Sequence, residues 1–502
     1  MASSPAAQLL ALPYGKIQPQ SVVITQGIEC GIARIEGDLR LAVLGPAASL
    51  SGLEGITSEY AGQMLLTGPM NAANMIRLRT LFPWLIPHPL GLSTSAGLGD
   101  RLGLATPGHV RAVRAFHGEI EPIFAQQSIR EMTRTNRTPQ QVMDDAAWGV
   151  FAEGWHEGFG ADADHLKTPV DIDRCVAAGY TFYTVDPGEY VDNRAETLAA
   201  DGLRTAFEAL PWDKLDDTAA ALRRRYVDKS VDLENGKITF DEQALLKAGV
   251  KYGRVIAHVL MMYRHLVEVA KSQPWELEIS VDETELPTSH AEHVYIVGEL
   301  QRLGIKWVSL APRFIGRFEK GVDYIGDLKA FEDDFAVHAM IARRYGPYKL
   351  SLHSGSDKFS VYEIAARQTK GVVHLKTAGT SYLEALHTIA QVDPAFFRAI
   401  YDFGREHYEA DSATYHVSAR LDRAPLSANV ADADLPALLD QFDARQIFHV
   451  TFGSVLRAKA GDGKPLFYDH FMQLLRANSD LYASNLEAHF RRHLAPFAGQ
   501  KS

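Results

Sequence analysis

Between about residue 90 and residue 380, short apolar and β-branched segments alternate with longer amphipathic ones, and nothing else in the chain limits its fold as tightly. Strands separated by helix-length segments run parallel, with each helix serving as a crossover on the face of the sheet. Eight strand candidates can be read: around Ser95–Leu104, Pro122–Ser128, Ala161–Leu166, Thr181–Val185, Leu277–Val281, Trp307–Ala311, Lys349–His353 and Val372–Leu375. Eight such units predict an α/β chain closed into a TIM-like (β/α)8 barrel over residues 91–380. Three helix starts carry the same signature, Thr106-Pro107, Thr138-Pro139 and Thr168-Pro169, in which threonine caps the free amides and proline takes a position that needs none. The helix after Thr168 is expected to present Val170, Ile172, Val176 and Ala177 inward and to stop at Gly179.

The barrel does not use the whole of the 502-residue chain. Residues 1–90 read as a small mixed α/β extension. Residues 381–502 read as a mainly helical region, with helices expected near Tyr382–Ile389, Pro394–Glu409 and Pro465–His493. Between the fourth and fifth strands, about residues 189–273 form an insertion whose helical spacing and mixed charge predict helices. Insertions in such barrels usually lie beside the active-site face, which makes this one a candidate lid or interface. A net charge of −11, with no basic stripe to follow a phosphate backbone, argues against nucleic acid as a partner and leaves a small molecule. Two cysteines without a CxxC, no export signal and no run of eighteen apolar residues fit a cytoplasmic protein with no membrane partner. Assembly into a homo-oligomer stays open.

Barrel enzymes carry their reacting groups at the C-terminal ends of strands, and here polar residues crowd those positions. The third strand ends in DADHLKT, the fifth in EISVDE, the seventh in HSGSDK and the eighth in HLKTAGT. His165, His353 and His374 stand at three of these ends, where neutral imidazoles from separate strands can converge on one divalent cation: zinc, manganese, nickel or cobalt. Asp164 and Glu278 are placed for general acid and base work. Asp282 is a reserve for the same work, or else a loop or helix-capping acid. Arg101, Gln127, Lys167, Asp282, Ser354 and Lys376 are the candidates for substrate contact. The loops SGSDK and TAGTS either bind an anionic substrate group, with help from Lys358 or Lys376, or are simply tight turns. GLGDRLG at Gly97–Gly103 is not a dinucleotide fingerprint, because its third glycine falls one place late and no acidic residue follows in a βαβ unit. No P-loop or HExxH is present, and no GxSxG stands in a strand–turn–helix setting.

Taken together, GLGDRLGLATPGHVRA, FAQQSIREMTRTNRTPQQVMDDA, DADHLKT, ISVDE and LHSGSDKF resemble the tagaturonate epimerase family, over roughly residues 20–490. The resemblance implies a metal-dependent isomerase that interconverts D-tagaturonate and D-fructuronate. It implies Asp164 as proton acceptor, Glu278 as proton donor, and His165 and His353 as metal ligands. Counted from the carboxylate, the two keto acids differ at the third carbon while the ketone is the fifth, so enolisation cannot reach the inverted centre directly. Retro-aldol cleavage between carbons three and four can: it gives an enediolate and a three-carbon aldehyde, which rotates and recombines on its other face. A divalent metal would act as a Lewis acid toward the developing charge. D-tagatose and D-fructose are further substrates if the carboxylate pocket is dispensable. A metal-dependent aldolase or ketose isomerase on the same barrel, and a non-catalytic sugar-binding protein, are the alternatives.

Overall fold

The computed structural model describes residues 8–13, 15–413 and 415–499. Its N-terminal part is an antiparallel sheet of β1 (Lys16–Ile17), β2 (Val23–Thr25), β3 (Ile28–Ile35), β4 (Asp38–Gly45), β5 (Ile56–Tyr60) and β6 (Gln63–Gly68), in the order β1-β3-β4-β6-β5 with β2 on β3. Its hairpins close on the pairs Gln26-Gly27, Glu36-Gly37 and Ala61-Gly62, each with both residues at positive φ. That backbone matches the twist of the flanking strands and favours glycine in the second position. Helix α1 (Ala72–Leu81), capped by Asn71, then leads to the barrel.

Eight parallel strands close the barrel: β7 (Ser95–Leu98), β8 (Glu121–Ser128), β9 (Gly160–Leu166), β10 (Phe182–Val185), β13 (Glu276–Val281), β14 (Ser309–Pro312), β15 (Lys349–Leu352) and β16 (Val373–Thr377). The hairpin β11 (Lys229–Leu233) and β12 (Gly236–Phe240) falls between β10 and β13 and stands outside the barrel. The helices up to β10 are α2 (Thr106–Arg114), α3 (Ile129–Thr135), α4 (Pro139–Ala152) and α5 (Pro169–Ala177). Next come α6 (Ala200–Glu208), α7 (Ala219–Tyr226), α8 (Glu242–Val269), α9 (His290–Arg302), α10 (Leu328–Tyr345) and α11 (Phe359–Thr369). The chain ends in α12 (Thr380–Val392), α13 (Pro394–Ser412), α14 (Phe442–Arg457), α15 (Tyr468–Ala477) and α16 (Ser479–Leu494). No helix among the described residues is long and apolar enough to cross a membrane.

Thr138 and Thr168 cap their helices, each in a reciprocal box with the residue three places on, Gln141 or Asp171. Thr106 does not. It is buried inside its helix, and the Asp100 side chain takes over, accepting from the amides of Leu102, Gly103 and Ala105. This carboxylate-pinned loop is also why β7 ends at Leu98 rather than near Leu104. The stop after α5 is Gly179, at φ +83.

The insertion is not wholly helical. It contains the β11–β12 hairpin, and α6 and α7 pack along the long α8, with α7 also held to α9 by Arg225 and Tyr226 on Glu299. α8 itself lies between α5 and α9 as the crossover of its unit, so the inserted elements cover the barrel's flank. The mouth is covered instead by the loop after β14 and by the C-terminal region. There α14 is buried at every residue except Phe442, Ser454 and Arg457.

Candidate active site

The barrel interior is built in storeys. At the bottom Leu90, Ile123 and Phe182 form an apolar plug. His374 lies just above it, its ring 5.3 Å from that of Phe182, with Nδ1 2.9 Å from Ser95 Oγ, to which Lys349 Nζ also donates. Burial pushes the His374 imidazole down to about 3 and the Lys349 amine down to about 8.

The next storey is organised by one cation. Lys376 Nζ donates to Thr184 Oγ1 at 2.6 Å, and lies 2.8 Å from Asp162 Oδ2, 2.7 Å from Asp164 Oδ1 and 2.8 Å from Glu278 Oε1. Three buried carboxylates hold the ammonium well above the ordinary lysine value, against the burial that works to lower it. Ser309 Oγ donates to Glu278 Oε2, and His353 Nε2 is 2.7 Å from Oε1. Glu278 is thus fully enclosed and contributes no surface to the cavity above. Asp162 and Asp164 respond in opposite directions. Burial raises Asp162, and with two like charges beside it Lys376 does not offset the effect, leaving it at about 7. Burial also acts on Asp164, but Lys376, His165 and His353 outweigh it and hold that carboxyl below its usual range.

At the rim, β9 gains a residue against β10, so that Ala163 pairs with Tyr183 but Leu166 with Val185. The extra residue is a bulge that places His165 at φ +52, and it allows Asp164 and His165 to serve the same cavity although they are neighbours on a strand. His165 Nδ1 is 3.1 Å from Asp186 Oδ2, which leaves Nε2 facing inward. With His353 Nε2 engaged by Glu278, Nδ1 points to Asp282 Oδ1 at 3.3 Å. Ligand atoms of His165, His353 and Asp282 lie within 4.8 Å of one another. Two imidazoles and a carboxylate suit a divalent transition metal, and Asp186 and Glu278 stand where carboxylates commonly orient metal-bound imidazoles. Burial opposes charge on both rings, yet the surrounding carboxylates lift His165 to about 10 and His353 to about 9. That field would favour any cation held there.

Above the rim lies a small cavity lined by Asp164, His165, His353, Lys376, Gln126 and Arg101, which opens outward past Arg130, Lys320 and Tyr415. Lys320 Nζ donates to Ser354 Oγ at 2.6 Å, and Arg130 reaches Glu283 at 3.5 Å. Arg101 is paired with Glu131 and stacked 3.7 Å over Phe452.

The structure therefore gathers His165, His353, Asp164, Asp282, Lys376, Ser354 and Arg101 around one space. His374 is not with them, because strand alternation sets it two residues below Lys376, near the barrel floor. Gln127 points away from the cavity, toward Arg137, while its neighbour Gln126 faces in. Lys167 is half exposed and bonded to Glu189 outside the cavity lining. Lys358 is spent on the carbonyls of Glu319, Val322 and Ser356. Gly355 sits where a Cβ would meet Leu352 O at 2.6 Å, so the SGSDK loop serves close packing. Sequence reasoning did not single out Asp162, Asp186 or Gln126, which the period of two along their strands would have exposed. It had no signal for Lys320, Tyr415 or His449, which arrive from loops and from a helix outside the barrel.

A closed parallel barrel with its polar residues gathered at the C-terminal rim defines a (β/α)8-barrel enzyme. Known proteins narrow the class. The profile of the tagaturonate epimerase family matches residues 31–497. Over 424 residues, covering 84% of this chain and 85% of the relative, the sequence is 45% identical to tagaturonate/fructuronate epimerase of Thermotoga maritima. The native crystal structure of fructuronate-tagaturonate epimerase from Cohnella laeviribosi superposes with a TM-score of 0.92 at 38% identity, covering 97% of each chain. A glycerol complex of that enzyme gives the same TM-score and identity. The chain belongs to the tagaturonate epimerase family, and it is an isomerase of the carbohydrate epimerase type.

Proposed function

We propose that this protein interconverts D-tagaturonate and D-fructuronate with the help of a divalent cation held by His165, His353 and Asp282. The observation that carries the reading is the position of Asp164: it lines the cavity, touches Lys376 and lies 3.7 Å from His165 Nε2. A carboxylate there can take the hydroxyl proton of a sugar whose neighbouring oxygens face the imidazoles. When bound, the cation would supply Lewis-acid stabilisation of the charge that develops as carbons three and four separate.

Asp164, kept ionised by Lys376 and the two rings, is the proton acceptor. Glu278 is sealed beneath the cavity, so its donor role is exercised through Lys376, whose Nζ lies within hydrogen-bond distance of both carboxylates. Lys376 holds its proton beside the alkoxide that recombination regenerates, and Glu278 keeps that ammonium charged and in place. The substrate carboxylate is directed to the outer cavity, where Lys320 and Arg130 stand. D-tagatose and D-fructose lack that group and forgo its contact with these two side chains. A lost charged hydrogen bond is worth about 1.5–3 kcal/mol, so kcat/KM for the neutral sugars should be roughly ten- to a hundredfold lower.

The test is to incubate the protein with D-tagaturonate, before and after metal stripping. Formation of D-fructuronate that stops on stripping and returns with added Mn2+, Zn2+, Ni2+ or Co2+ is expected, with a three-carbon aldehyde trapped during turnover. Undiminished conversion after exhaustive chelation removes the cation from the mechanism.

A further inference from the structure

We infer that a second divalent-cation site lies outside the barrel, between the start of α9 and the middle of α10, formed by His290, Asp334 and His338. One ligand atom from each lies within 4.8 Å of the others. His290 Nε2 approaches Asp334 Oδ1 to 2.9 Å, and His338 Nε2 approaches Asp334 Oδ2 to 3.6 Å. Ligand atoms at about 2.0–2.2 Å from a tetrahedral ion stand about 3.4 Å apart, and these approaches, each to a different oxygen of Asp334, are of that order.

The approach is not explained by hydrogen bonding. Among the described residues none gives His290 Nε2, Asp334 Oδ2 or His338 Nε2 a hydrogen-bond partner, although all three atoms are buried. Buried polar atoms left in this condition are rare and call for an occupant. His338 is the sharpest case: its residue is wholly buried, yet its Nε2 is aimed at Asp334 with nothing to bond.

A chain of hydrogen bonds behind His338 supports its use as a ligand. His338 Nδ1 is 2.8 Å from His293 Nδ1, and His293 Nε2 is 2.7 Å from the Tyr348 hydroxyl. Two ring nitrogens share one hydrogen. With it on His338, Nδ1 donates to His293, Nε2–H of His293 donates to the phenol oxygen, and the lone pair of His338 Nε2 is bare. An outer partner that fixes the tautomer in this way is a usual companion of a metal-bound histidine.

The backbone leaves these side chains free for the task. Asp334 and His338 are four apart on α10 and share a face. His290 is the first residue of α9, but the start of that helix is secured by Ser289 and Glu292 in a capping box. His290 and Asp334 are only partly buried, which gives an ion access from solvent, whereas His338 closes the inner side. The His338 ring also packs 5.5 Å from Phe314, on the loop after β14 that carries Lys320 to the cavity mouth. A cation here would tie two barrel helices together behind that loop and act as a structural site.

The experiment uses the full chain carrying His165→Ala and His353→Ala, which lacks both imidazoles of the rim. Stripped of metal, it is titrated with Zn2+ and assayed for retained zinc after gel filtration. One equivalent per chain and a raised melting temperature are expected. Adding His290→Ala should weaken binding by about a hundredfold or more and abolish the thermal gain, since loss of a direct ligand exceeds loss of an outer partner. With the rim histidines intact, His290→Ala alone should lower the zinc content by one equivalent, and this comparison does not depend on the double variant folding. The inference is overturned if the double variant retains no zinc, or if His290→Ala leaves the affinity and the zinc content unchanged.

Discussion

Replacing Asp162 by asparagine should make the protein more stable at alkaline pH while leaving its stability at pH 4 unchanged. The carboxyl of Asp162 is fully buried in the storey below the rim and is crowded by Asp164 and Glu278, and it is pushed up to about 7 from an ordinary value of 3.8. Below pH 4 both the folded and unfolded chains bind its proton, so aspartic acid and asparagine are equivalent. Between pH 4 and pH 7 the unfolded chain releases the proton and the folded chain does not, which favours unfolding increasingly as pH rises. At about 1.36 kcal/mol per pKa unit, the wild type has lost at most about 4 kcal/mol relative to the asparagine variant once pH exceeds 7. Asparagine keeps the shape and can still accept from Lys376, which retains Asp164 and Glu278 as counter-ions. Urea unfolding followed by tryptophan fluorescence, on metal-stripped protein at several pH values from 4.5 to 8.5, measures the difference. A wild type that is the more stable at pH 8.5, or a gap that does not grow with pH, would refute the argument that three acids share one lysine with a charge to spare. Asp162 does not line the cavity, so turnover of the variant should remain within about tenfold.

Asp164→Asn should lower kcat by about 10²–10⁴ while zinc or manganese content, read by metal analysis, stays unchanged. Lys320→Met should raise KM for a uronate by about tenfold or more with little change for a neutral ketose, as steady-state kinetics on both substrates would reveal. Arg445→Met takes away the guanidinium 2.8 Å from the buried Asp357 and leaves His489 as its counter-ion, and should cost about 1.5–3 kcal/mol in urea unfolding.

How much of this was legible follows from what each feature depends on. The eight barrel strands could be read because parallel strands are buried on both faces and show as short apolar runs. The ends of the strands were less clear: residues 99–104 look like a strand continuing, and only the folded geometry reveals Asp100 accepting three amides there. Helix α14 escaped notice because a helix buried on nearly every side has no polar stripe to mark its period. The β11–β12 hairpin escaped because it lies among strongly helical segments. At the site, Asp164, His165 and His353 stand at strand ends and line one space, whereas His374, two residues below Lys376 on its strand, lies with the floor.

The bulge in β9 explains why the site could not be read from spacing alone, and also why it is built as it is. In a regular strand Asp164 and His165 would face opposite sides, and the carboxylate could not share a cavity with the ring next to it in sequence. A left-handed residue at His165 costs on the order of 1 kcal/mol, and strain of this kind persists only where its surroundings over-determine it. Here they do: Asp186 fixes the ring from β10's end while Lys376 anchors Asp164 from across the barrel. The two restraints meet on consecutive residues, so the lysine hub that sets the charge of the Asp164 carboxylate also fixes where the imidazole must stand.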